Sequence, residues 1–201
     1  MQALILKDFY VMWKQTRIFL LVILIFSAIP GSFNAVFAVI YSAMLPYTAM
    51  AYDERSKWNQ LAAMMPYSDR DMVLSKYVFG WLFILAATAA SLVLQTVISL
   101  VWPAAGSFSP AAFLLALCVS VCVLDLTLPL MFRFGTERGR LVMFFIIFLV
   151  CSSAGAVAGI APDLNGSSYF ALTLSSAALA AVILTAISIP LSTRLYRRRR
   201  R

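Results

Sequence analysis

The chain of 201 residues is 63% apolar and only 12% charged, carries a formal net charge of +8 and has no histidine. A soluble domain of this size cannot hide that much apolar surface, so the composition excludes an ordinary globular enzyme and predicts a polytopic membrane protein. The basic excess does not point to nucleic acid, because it is confined to four short intervals.

All 16 basic residues fall at 7–17, 55–76, 133–140 and 194–201, whereas 30–35, 102–110 and 161–168 contain neither lysine nor arginine. That alternation is the positive-inside pattern, and it predicts six spans with both termini in the cytoplasm. The expected fold class is therefore all-α: six transmembrane helices in a single domain over 1–201, with an interfacial helix before them.

Residues 1–15 read as that interfacial helix. Ile5, Phe9, Met12 and Trp13 cluster on one side and Lys7 and Lys14 on the other, which places the lysines near anionic lipid. No small-residue cleavage site follows, so the segment is read as retained. The first span is short, running from near Thr16 to the outer turn at Pro30-Gly31. The second runs from about Phe33 to Tyr52, with Pro46 predicted to kink it. A re-entrant hairpin over 18–50 is the alternative for this pair.

Between Asp53 and Lys76 lies the longest polar interval, with four basic and four acidic residues. It nevertheless contains an apolar stripe at helical spacing, Trp58, Leu61, Ala62 and Met65, which Pro66 closes. Ser68 is positioned to cap a second helix, with Asp71 completing a capping box. The stretch reads as a short amphipathic helix held outside the bilayer. Trp58, Met64 and Met65 suit a groove on a partner, with Arg55 and Lys57 at the rim; the plainer reading lays them on the lipid surface.

The third span covers roughly Tyr77–Val101 and the fourth about Ala111–Phe132, followed by the inner loop RFGTERGR. The fifth, about Leu141–Ile160, carries Gly155 and Gly159 four apart, a spacing that permits close helix packing. The sixth runs from about Tyr169 to Pro190 and ends in a basic tail over 194–201. That tail attracts acidic lipid or, alternatively, an acidic patch on a partner.

Few residues offer chemistry. Asp125 is the one charged side chain within a span core, about 12 Å along the helix from Arg133. It must face protein or water, either on a substrate or proton path or as a structural hydrogen-bonding group. Cys118 and Cys122 share a helical face but lack the histidine or carboxylate that a metal site needs, and Cys151 lies in another apolar run. No phosphate-binding glycine loop is present. The chain is expected to be no enzyme, to hold no cofactor or metal, and to draw any energy from another protein.

The central run is also familiar. It reads Tyr52-Asp53-Glu54, then Lys57-Trp58, Leu61, Met65-Pro66, Ser68-Asp69-Arg70 and Ser75-Lys76-Tyr77. It resembles the small six-span permease subunit of bacterial type 2 ABC exporters. Leu128-Pro129-Leu130 with Phe134-Gly135 and Glu137, and the ending Ser192-Thr193-Arg194-Leu195-Tyr196, resemble two further blocks of that family. The resemblance implies a coupling helix around Ser56–Met65 seated in a separate ATPase subunit, and an elbow helix over 1–15. It also implies two permease copies above two ATPase chains, with ATP and Mg held by the ATPase, in the bacterial cytoplasmic membrane. Cargo in such a family spans amphipathic peptides, antimicrobials, ions and lipid-linked material. Two rivals from other classes are a secondary carrier using Asp125 and a peptide-sequestering immunity or scaffold protein.

Overall fold

The residues described by the computed structural model (2–28, 32–64, 68–101, 110–160 and 167–200) form seven helices and no strand. In chain order these are α1 Gln2–Ala28, α2 Ser32–Ser42, α3 Leu45–Arg55, α4 Trp58–Ala63, α5 Asp69–Val101, α6 Pro110–Ile160 and α7 Ser167–Arg200. Three stretches among the described residues are long and apolar enough to cross a membrane: Asp69–Val101, Phe113–Gly135 and Thr173–Arg198. Their outward faces carry large apolar side chains such as Leu85, Val93, Val182 and Ile187, each more than half exposed. A fold of long helices with apolar exteriors is that of a multi-span membrane protein.

Local chemistry explains the boundaries. α1 is continuous through the point where a separate interfacial helix and first span were predicted, and extends about 40 Å. The predicted kink at Pro46 is a full break. α2 ends in a turn at Ala43 and Met44, and Pro46 falls in the first turn of α3, where its missing amide has no partner to lose. Ser68 caps α5, its hydroxyl accepting from the Arg70 amide at 3.3 Å. Asp69 and Asp71 then lie in the first turn, where negative charge is favoured.

Two continuities differ from the sequence reading. The predicted inner loop after the fourth span is almost absent. α6 turns at Gly135 (φ 82°, ψ 175°), a conformation that favours glycine, and helix resumes on the far side. The reversal is tight: a Cβ on Gly139 would lie 3.2 Å from Met131 Cα, eight residues earlier. Pro190 does not end α7 either, so the basic tail is helical as far as Arg200.

The core lies where α3, α5 and both arms of α6 meet, with α7 against it. Tyr47, Tyr77, Leu124, Leu128, Met131 and Met143 are its buried members. Gly80 lets α5 approach α6 and α3, since a Cβ there would meet Leu124 at 2.8 Å and Pro46 at 3.0 Å. The outer turn at Pro30-Gly31 and the loop residues 102–109 and 161–166 lie outside the described residues.

Candidate functional site

Four charged side chains from three helices meet beneath α4. Lys7 Nζ lies 2.9 Å from Asp8 Oδ1 and 2.6 Å from Asp53 Oδ1. Lys76 Nζ lies 2.7 Å from Asp8 Oδ2 and 2.5 Å from Asp53 Oδ2. Each lysine therefore bridges both aspartates, closing a ring that ties α1, α3 and α5 together. Both aspartates and Lys76 are buried. Two cations and two anions cancel, so each buried charge has opposite charges on two sides.

The ring also holds α4. The Lys7 ammonium sits 4.3 Å from the centre of the Trp58 ring, within cation–π range. α3 and α4 are joined through Ser56 and Lys57, and Lys57 adopts φ 52°, the left-handed conformation that usually takes glycine. That one residue turns the chain so that α4 leaves α3 and folds back over Lys7.

The predicted docking residues divide accordingly. Trp58 is half-buried and Ala62 is buried, one turn apart on the inner face of α4. Leu61 is 52% exposed and Met64 85% exposed on the outer side, and Arg55 and Lys57 are exposed beside them. The stripe read from the sequence is thus split, because the fold takes Trp58 to cover Lys7. Met65 lies outside the described residues. The backbone of α6 runs helically through Gly155 and Gly159, but their packing lies outside the described residues.

Asp125, 1% exposed on α6, belongs to a second polar assembly. The Thr185 hydroxyl of α7 donates to its Oδ2 at 2.5 Å, and Ser188 donates to its backbone carbonyl at 2.5 Å. Ser188 has a single proton and has used it. Tyr77 therefore donates to Ser188 at 2.5 Å, and Ser192 donates to Tyr77 at 2.8 Å. Tyr47 and Thr127 share a further hydroxyl pair between α3 and α6. This column stitches α3, α5, α6 and α7 through groups that a membrane interior cannot solvate. Asp125 Oδ1 is buried without a hydrogen-bond partner among the described residues.

Beside the column, α5, α6 and α7 border an open groove of 640 Å³. Its lining is nearly all apolar, with Trp81, Leu117, Val121 and Val182 prominent and Thr185 at the edge shared with Asp125. Cys118 lies on it as a free thiol. Among the described residues no three histidine, cysteine, aspartate or glutamate side chains converge.

The charged ring escaped the sequence reading, in which Lys7 faced the headgroups and Asp53 and Lys76 merely bounded a polar interval. Its partners are 23, 46 and 68 positions apart. One signal was available: Asp8, the one acidic residue in the sequence of α1.

No curated protein and no solved structure matches the chain. The profile described as ABC-2 family transporter protein matches residues 3–197, nearly the whole length. With long apolar helices and a buried polar column that match embraces, the chain belongs to the ABC-2 family of transporter proteins.

Proposed function

We propose that this protein is the permease subunit of an ATP-driven exporter, a six-span unit over 1–201 that forms the substrate pathway while a separate ATPase chain supplies the energy. The observation that carries the reading is α4. A short helix anchored from below by Lys7 and the ring presents Leu61 and Met64 outward, with Arg55 and Lys57 beside them. Apolar side chains so exposed, at the basic end of the helices, suit a cleft on a partner. Residues 53–76 act as the coupling segment, with Met65 continuing the face. Trp58 is the pivot joining that face to the ring.

In this reading residues 1–15 serve as the elbow and 194–201 as a basic tail against anionic lipid. Two permease copies pair over two ATPase chains that hold ATP and Mg, in a bacterial cytoplasmic membrane with both termini inside. The chain itself performs no catalysis and holds no cofactor. An amphipathic peptide or antimicrobial would fit the apolar groove of α5, α6 and α7. Asp125 supports helix packing through Thr185, and Gly155 and Gly159 permit close approach of a neighbouring helix.

The test is co-purification from native membrane of the wild type and of Met64→Asp with Leu61→Asp. An ATP-binding chain that accompanies the wild type and is lost from the variant supports the reading. If no ATP-binding chain accompanies the wild type, the exporter reading fails, and a carrier or sequestering protein takes its place.

A further inference from the structure

The basic end of the α5–α7 seam holds a second groove, of 410 Å³, that plays no part in the reading of α4. Arg70 of α5 and Arg194 and Arg197 of α7 line it, together with Leu74, Ile189 and Pro190. Thr193 adds a hydroxyl. Among the described residues no acidic side chain lines it, and Asp69 beside it pairs with Arg197 at 3.5 Å.

The order of these residues along the two helices matters. Arg70 lies one turn before Leu74 at the start of α5, and Arg194 and Arg197 lie one to two turns after Ile189 and Pro190 near the end of α7. The arginines therefore occupy one end of the groove and the apolar side chains the other. Beyond the apolar end both helices show lipid-type exteriors, with Leu82 and Leu85 on α5 and Ile183 and Ile187 on α7 exposed. The groove sits where an apolar band gives way to guanidinium groups, which is the level of the headgroups.

We propose that this groove is a binding site for one anionic phospholipid. Arg70, Arg194 and Arg197 hold its phosphate, and Leu74, Ile189 and Pro190 receive the first carbons of an acyl chain. Guanidinium groups match phosphate oxygens in a fork geometry that a lysine cannot supply. A free phosphate would leave the apolar half unfilled, and an acidic protein surface has no need of it. Arg194 and Arg197 also border a 520 Å³ groove with Arg198 and Leu195, so one further arginine adds to the positive potential at this end of α7. The inference rests on the membrane placement in the proposed function and not on the ATPase.

The experiment uses the full chain, purified in detergent, with native mass spectrometry of added phosphatidylglycerol or phosphatidylcholine. The wild type is expected to retain one phosphatidylglycerol and to disfavour phosphatidylcholine. Arg70→Gln with Arg194→Gln should weaken retention roughly tenfold or more, because each arginine near the headgroup contributes separately. Arg138→Gln with Arg140→Gln removes the same charge at two exposed positions elsewhere and should leave retention unchanged. Leu74→Asn, neutral in charge, should also weaken it. Equal loss in both arginine pairs would show diffuse attraction and overturn the site. Equal retention of the two lipids overturns it as well, as does displacement of the lipid by millimolar inorganic phosphate. Because no ATPase is present, a failed co-purification with lipid still retained would sink the exporter reading alone.

Discussion

Lys76 Nζ on α5 and Asp53 Oδ2 on α3 are 2.5 Å apart, and the same ammonium is 2.7 Å from Asp8 on α1. One side chain thus fixes three helices at the point where α3 hands over to α4. Removing Lys76 strands two buried carboxylates on Lys7 alone.

Lys76→Met is accordingly expected to lower stability by about 3 kcal/mol, the cost of breaking a buried ion pair from one side. Lys76→Met combined with Asp8→Leu keeps the Lys7–Asp53 pair at 2.6 Å and restores neutrality. The double variant should therefore melt above the single one. Thermal unfolding in detergent measures both, and a double variant less stable than the single would refute the ring as an energetic unit.

Trp58 and Met64, six residues apart, should separate stability from docking. Trp58→Ala uncovers the Lys7 ammonium and is expected to cost about 1–2 kcal/mol through lost cation–π contact. Met64, 85% exposed, should tolerate alanine with no change in melting. In the proposed function both variants reduce retention of an ATPase chain, Met64→Ala by direct contact. Loss of melting temperature in Met64→Ala would place that side chain inside the fold instead.

Lys57 offers a gain. Its φ of 52° strains a residue with a Cβ, by about 1–2 kcal/mol in the left-handed region. Lys57→Gly should be neutral to slightly stabilising, whereas Lys57→Val should destabilise. If glycine proves the worse of the two, the α3–α4 junction does not adopt this turn in solution.

Asp125→Asn retains a side chain able to meet Thr185 and is expected to melt near the wild type. Asp125→Leu removes one acceptor of the Thr185 hydroxyl, at 2.5 Å, and leaves it the Ala181 carbonyl at 2.6 Å, so it should cost about 1 kcal/mol, the net worth of one hydrogen bond. Should Asn and Leu destabilise equally, the carboxylate charge itself holds α6 to α7.

Gly80→Val tests the closest packing in the core. Its side chain would enter space already held by Leu124 and Pro46, and overpacking of this kind costs about 1–3 kcal/mol. An unchanged unfolding midpoint would mean that α5 stands further from α6 than 2.8–3.0 Å contacts require.

Much of the helical punctuation was legible because it depends on neighbours in sequence. Ser68 capped its helix as its hydroxyl predicts, and Pro46 signalled an interruption, though read as a kink within one span where the chain breaks into α2 and α3. Gly135 was read as part of an ordinary loop, because sequence alone does not reveal that one positive φ replaces it. The amphipathic nature of α4 was readable, but its orientation was not. Trp58 and Leu61 share a face by spacing, and only Lys7, arriving from 51 positions earlier, decides which of them turns inward. Asp125 was conspicuous as a lone carboxylate, while its partners Thr185 and Ser188 are of a type common in any apolar helix.

The ring of Lys7, Asp8, Asp53 and Lys76 is neutral, so it contributes nothing to the net charge of +8. The positive character of that end of the folded protein is therefore carried almost wholly by arginine. In the proposed function, attraction to an acidic leaflet would thus follow ionic strength and lipid composition, through guanidinium forks that meet phosphate oxygens two at a time.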